Sequence, residues 1–242
     1  MGLIGPRKLI WSPEVVTSKD MTEHPLVILS PHLDDAVLSC AQVLMAHPGS
    51  VVITVFAGRP SDGRWSAWDH RCFRSGQDPM PLRWQEDRQA LASIGSIPIH
   101  MRFLDVGYGI SYVAGDLTTA LGTELKKRRP ESVLVPLGIF HSDHILVHEA
   151  AISLICGYSP QTRWVVYEEL PYRFEYRELV ESRLALLRNR GFQITESALP
   201  RSPSRRAKRR AVRKYSSQLS ALGKTRLRCA LGDERYWELV HE

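Results

Sequence analysis

The chain has 242 residues, 43% of them hydrophobic and 24% charged, close to ordinary globular usage, so a core can be buried without staples in one sizeable α/β domain or two small ones. No apolar run approaches the roughly 18 residues that a membrane helix needs, which excludes a spanning segment. The formal net charge of +6 suits an anionic partner without identifying one, and its plainest reading is a soluble enzyme with a basic tail.

Residues 1–24 form a lead-in of mixed character. Ile10-Trp11 and Val15-Val16 offer packing, and Met1 to Pro6 lack the charged-then-apolar pattern of a signal peptide. Residues 26–30 read as a buried strand, followed by Ser30-Pro31-His32-Leu33-Asp34-Asp35 and an apolar helix over 35–46. Residues 51–56 are β-branched and apolar, as a parallel strand covered on both faces should be. Residues 57–81 form a long irregular stretch with Trp65, Trp68 and Phe73. Loops of that length are usually functional or disordered, and three large aromatics favour a substrate wall. A helix over 82–94, a strand over 97–106, a helix over 116–127 and a strand over 132–136 follow. Phe140-His141-Ser142-Asp143-His144 then opens a helix through 155. Beyond it come a strand at 164–167, a helix at 178–189, a short strand at 192–195 and a long helix at 205–222. Strands alternating with helices predict an α/β class, Rossmann-like, with a mainly parallel sheet in a single domain. The cations of 201–214 invite a nucleic-acid reading, but Ala207, Ala211, Tyr215, Leu219 and Leu222 recur at helical spacing, so a docked amphipathic helix is expected and no nucleic acid. Cys40, Cys72, Cys156 and Cys229 show no C-x-x-C spacing, which points to a reducing, cytoplasmic home.

The chemistry gathers in two stretches, each just beyond a buried strand, where open α/β sheets place ligands. His32 and Asp35 in the first and His144 in the second make a set of three protein ligands that leaves a position for water. Two imidazoles and a carboxylate suit Zn²⁺, and Fe²⁺ or another divalent ion also fits. Such an ion makes hydroxide available near neutral pH. Asp34, beside the ligand Asp35, is expected to take the proton of the attacking water. His141 faces the developing oxyanion or protonates the leaving group, with Asp143 fixing its tautomer. Either aspartate could instead be a helix N-cap. A rival zinc helix pairs His144 with His148, adjacent to Glu149, but leaves the aspartate pair unexplained.

His32-Leu33-Asp34-Asp35 and His141-Ser142-Asp143-His144 resemble the two signature motifs of the PIG-L/LmbE-like de-N-acetylases, usually Ala-His-Pro-Asp-Asp-Glu and His-Pro-Asp-His. Arg83 to Glu86 with Ala90 is similar to the family's Arg-x-x-Glu-x-x-x-Ala helix, Asp105 stands where it has a substrate-binding aspartate, and Lys208 to Gln218 resembles its late Lys…Ser-Gln helix. The resemblance implies a zinc hydrolase that removes acetyl from an amino-sugar conjugate, with His32, Asp35 and His144 on the metal, Asp34 as base and His141 on the oxyanion. By the same likeness Arg83 and Asp105 would hold the sugar; from the loop itself, at least one of Trp65, Trp68 and Phe73 is expected to cover it. Leu33 and Ser142 replace the prolines, and Ala36 replaces a glutamate, so a hydrogen bond behind the ligands is lost or supplied elsewhere. A metal-dependent phosphoesterase and a non-catalytic sugar-binding relative are the competing readings. An anionic substrate and a homo-oligomer are both compatible with the sequence.

Overall fold

A computed structural model of the chain describes residues 26–241; the lead-in pairs Ile10-Trp11 and Val15-Val16 lie outside the described residues. In chain order the elements are β1 (Leu26–Ser30), α1 (Asp35–Ala46), β2 (Val51–Thr54), α2 (Ala67–Cys72), α3 (Pro79–Ala92), β3 (Ile97–His100), α4 (Ala114–Arg128), β4 (Ser132–Pro136), α5 (Ser142–Ile155), β5 (Arg163–Tyr167), α6 (Leu170–Arg173), α7 (Arg177–Asn189), β6 (Phe192–Glu196), α8 (Arg205–Val212), α9 (Ser216–Ala230) and β7 (Tyr236–His241). The strands form one seven-stranded sheet in the order β3-β2-β1-β4-β5-β7-β6. The pairs from β3 through β5 are parallel, and β7 pairs antiparallel with both β5 and β6.

The apolar runs are continuous because the central strands are covered twice. Val27 and Leu29 of β1 join Val133 and Val135 of β4 in a core with α4, α5 and α7. Leu26 and Ile28, facing the other way, pack with Leu134, α1, α3 and α8. A period-2 strand with apolar residues on both faces needs helices on both sides, which is the expected α/β architecture. The sheet order reverses between β1 and β4, so the carboxyl ends of these two strands open the crevice where such folds bind ligands.

Four expectations about elements are corrected. The third strand ends at His100 rather than at 106, because Met101 to Asp105 leave the sheet edge to run beside Ala57 and Gly58, where the Gly58 amide donates to the Phe103 carbonyl. The 57–81 stretch holds a short helix, α2, capped reciprocally by Ser66 and Asp69, and the next helix begins at Pro79. The helix predicted over 205–222 is two, broken where Tyr215 drops into the core to donate to Asp87 and where Ser216 and Ser217 bind Glu86. Gly223 kinks the second of them with φ 79°. Finally, β7 was not predicted; Tyr236 to Val240 alternates too briefly to stand out at a chain end.

The basic stretch does dock as an amphipathic helix. Lys208, Ala211 and Val212 are buried, and α8 packs on α1 and α3. Lys208 donates to the buried Glu234 at 2.7 Å, and Glu234 also accepts from the Gln42 amide, so the buried charges are paired as burial requires.

Candidate metal centre and substrate cleft

The turn after β1 is folded by its own side chains. The Ser30 hydroxyl donates to the His32 carbonyl at 2.6 Å and accepts from the Ala36 amide at 3.1 Å. Asp35 Oδ2 accepts from the His32 amide at 2.9 Å. Leu33, where the family has proline, is buried with Ala57 and Met80. After β4, Gly138 at φ 81° brings the chain onto α5; a Cβ there would stand 3.1 Å from the His148 Cβ and 3.0 Å from Arg183 Nη2, so only glycine fits. His141 then caps α5, its Nδ1 accepting from the Asp143 amide.

These two turns bring three atoms together. His32 Nδ1 lies 3.3 Å from Asp35 Oδ2 and 3.3 Å from His144 Nε2, and His144 Nε2 lies 3.1 Å from Asp35 Oδ2. Zinc bonds of about 2.0–2.1 Å at tetrahedral angles put ligand atoms roughly 3.3–3.4 Å apart, so this donor set fits a zinc-sized divalent ion. The three residues are buried. Burial alone would raise the Asp35 carboxylate, but His144 and His32 beside it hold it well below the usual range. Burial would lower His144, yet Asp35 and Glu169 push it up to about 9. The negative potential that favours an imidazolium is the potential that favours a cation.

Each histidine spends its other ring nitrogen on a carboxylate. His32 Nε2 pairs with Asp143 Oδ2 at 3.0 Å, and His144 Nδ1 with Glu169 Oε1 at 3.2 Å. Such partners fix the ring's tautomer and raise its basicity toward a metal. This corrects the expectation for Asp143, which stands behind His32; its Oδ2 is 3.9 Å from His141 Nδ1. Burial would raise Asp143, but His32 holds it below the usual range. Glu169 escaped the sequence reading. Its Oε1 also accepts from the Gly138 and Ile139 amides, tying the turn after β5 to the turn after β4. The signal available was a carboxylate directly following an apolar strand. With Ala36 in place of the family's glutamate, Glu169 and Asp143 supply the carboxylates behind the ligands. Glu169→Gln is expected to weaken zinc roughly 10–100-fold in competition with a chromophoric chelator; unchanged affinity would reduce Glu169 to a cap for two amides.

Asp34 occupies the N-cap position of α1 but makes no side-chain cap hydrogen bond, so the simple capping alternative does not use its carboxylate. Burial and the adjacent Asp35 push it up to about 6, opposed by Arg83 and His32. His141 is pushed down to about 4 by burial and by the neighbouring histidines. With Nδ1 accepting a backbone N–H, its neutral ring carries the proton on Nε2. Arg83 is buried in the same cleft, and its Nε has no partner.

The cleft has a volume of about 210 Å³ and is lined by Asp34, Arg83, Asp105, His141 and Trp68 among others. Trp65 is not there: it packs on His70 and lines a separate depression with Phe73. The capping of α2 turns Trp68 inward, where its indole donates to Gln218 at 2.6 Å, and leaves Trp65 outside. Sequence reading gave no site role to Phe140, Tyr172, Leu222 and Arg226, which also line the cleft. The rival zinc helix dissolves: His148 binds the Pro136 carbonyl, and Glu149 pairs with Arg183 and Arg190. Two other metal-capable sets, His32 with His141 and His144 and His32 with Asp105 and Asp143, both share His32 with the set of His32, Asp35 and His144, so the two-metal arrangement that would favour a phosphoesterase has no independent set of ligands among the described residues.

The PIG-L family, described as GlcNAc-PI de-N-acetylase, matches residues 27–155, more than half of the chain. This chain belongs to the PIG-L family. It is accordingly a metal-dependent de-N-acetylase acting on amino-sugar substrates. No curated protein sequence matches it. Among solved structures, it is similar to a triple mutant of a deacetylase of the teicoplanin biosynthetic pathway, at 24% identity and TM-score 0.71 over 90% of this chain and 98% of that one. It is also similar to the A40926 pseudoaglycone deacetylase Dbv21, at 23% and 0.69 over 91% and 98%. The N,N'-diacetylchitobiose deacetylase of Pyrococcus horikoshii follows at 14% and 0.51 over 80% and 70%. At these identities the likenesses establish the fold. The PIG-L match spans both metal-binding turns and ends with α5, so Glu169, Tyr172, Gln218 and Arg226 lie beyond it.

Proposed function

We propose that this PIG-L centre is a zinc site held by His32, Asp35 and His144, and that it cleaves the acetamide of an N-acetylated amino sugar carried on a small-molecule conjugate. The carrying observation is the set of three ligand atoms 3.1–3.3 Å apart beside the uncommitted carboxylate of Asp34. A divalent ion there supplies a Lewis acid that acidifies water and polarises the amide carbonyl. Asp34 accepts the proton of the attacking water and returns it to the departing nitrogen; the second proton of that water ends on the amine or in solvent, so the products are acetate and an amine that leaves as its ammonium ion, with the base regenerated. His141 Nε2–H donates to the carbonyl oxygen as negative charge develops on it. His32 and His144 are kept in register by Asp143 and Glu169. Arg83 and Asp105, which line the cleft, hold ring hydroxyls in this reading, and Trp68 offers a flat face to the sugar. Arg83, whose Nε has no partner, favours a ligand with anionic or oxygen-rich groups. Four free cysteines suit a reducing compartment such as the cytoplasm; among the described residues no helix is long and apolar enough to cross a membrane.

The test is acetate release from a panel of N-acetylglucosaminides by protein stripped of metal and reloaded with zinc or iron(II). Release should vanish on stripping and return with zinc. Release that survives stripping, or phosphate release from the matching phosphoesters, would overturn the reading.

A further inference from the structure

Between β4 and His141 the backbone takes φ 66° at Phe140. In that left-handed region a residue with a Cβ is strained and glycine is not. Such residues persist only where the surroundings hold them, and they cluster at functional sites. Phe140 is held by Tyr176: the ring centroids are 4.2 Å apart and the planes 9° from parallel. Tyr172 lies 5.7 Å away on the same wall. The strain does not serve burial, because Phe140 remains 47% exposed while lining the cleft.

The size of the cleft says what lies against that ring. About 210 Å³ is below the roughly 300–1,000 Å³ that encloses a drug-sized ligand. With the amide at the metal turns, one sugar ring occupies the enclosed part and the rest of a glycoside must cross the rim. Phe140 is one of several apolar groups on the cleft wall, with Leu222 and the exposed Val106. The cleft-lining Arg226 is already bound to Glu175 at 3.0 Å and lies over the Tyr172 ring that flanks Phe140. A second hydroxyl-rich sugar would find few free polar partners there, whereas an aromatic ring can continue the stack that Tyr176 and Phe140 begin.

We propose that Phe140, braced by Tyr176, is the specificity-determining residue of a rim subsite for an aromatic aglycone. The inference rests on the deacetylase reading for where the sugar sits. Phe140→Gly is the decisive variant, because glycine accepts φ 66° and the fold should survive. Zinc-loaded wild type and Phe140→Gly are compared by calorimetric binding and by acetate release with para-nitrophenyl and methyl N-acetyl-β-glucosaminide. Wild type should prefer the aryl glycoside roughly 3–10-fold, the worth of one aromatic stack, and Phe140→Gly should cut that ratio to about twofold or less. Its melting temperature should equal or exceed that of wild type. No aryl preference in wild type, an equal loss on both glycosides, or an unchanged ratio with a lower melting temperature would each overturn the proposal. If the binding preference is present and lost as expected while neither glycoside releases acetate, the deacetylase reading fails and the subsite stands.

Discussion

Replacing Asp34 by asparagine should leave about one metal ion per chain and lower kcat roughly 10²–10⁴-fold, the usual worth of a general base. Three observations support an effect of that size. The carboxylate is buried beside the three ligand atoms yet accepts no cap hydrogen bond. Burial and Asp35 push it up to about 6, close to a working pH. The other carboxylates of the centre are committed: Asp35 to both histidines, Asp143 to His32 and Glu169 to His144. A base must be ionised to accept a proton, so the wild-type kcat/KM should rise with pH through the Asp34 pKa and level off above it. A bound cation favours the carboxylate and moves that limb to lower pH. The asparagine variant should lose the limb together with the rate. Near-normal turnover in Asp34→Asn would show that the proton goes elsewhere.

His32→Ala, Asp35→Ala and His144→Ala should each reduce bound metal from about one ion per chain to near zero, with the far-ultraviolet circular dichroism retained. Two ligands cannot close a site that needs three. The readout need not be activity. Metal that binds only the folded state at about 100 times its Kd stabilises by about 2.7 kcal/mol, so wild type should melt higher when loaded. The three variants should lose that difference. Removing Asp35 also strips both imidazoles of their shared carboxylate and the His32 amide of its acceptor, so this variant should melt lowest of the three. Full occupancy in all three would defeat the ligand assignment.

The sequence by itself determined the chemistry and most of the frame. Apolar runs at 26–30 and 132–136 end in His-x-Asp-Asp and His-x-Asp-His, and local chain geometry alone puts those side chains at strand mouths and helix starts. The same locality fixed the alternation of strands and helices and an apolar docking face in the basic stretch, although the single helix expected over 205–222 is two. Only the tertiary structure decided what meets what. Strand order makes β1 and β4 neighbours and so joins two turns more than a hundred residues apart into one centre. Glu169 reaches His144 from the turn between β5 and α6, and Asp143 prefers His32 to His141 two positions away, because a side chain answers to the nearest donor in space and spacing along the chain carries no trace of that. Trp65 and Trp68 are indistinguishable as loop aromatics until α2 winds and sends one to Gln218 and the other to His70. Residues of α6 and α9 also line the cleft, and α9 starts where Glu86 and Asp87 of α3 anchor the chain at Tyr215 to Ser217. A polar anchor on an otherwise apolar helix face weakens the very periodicity that sequence reading depends on.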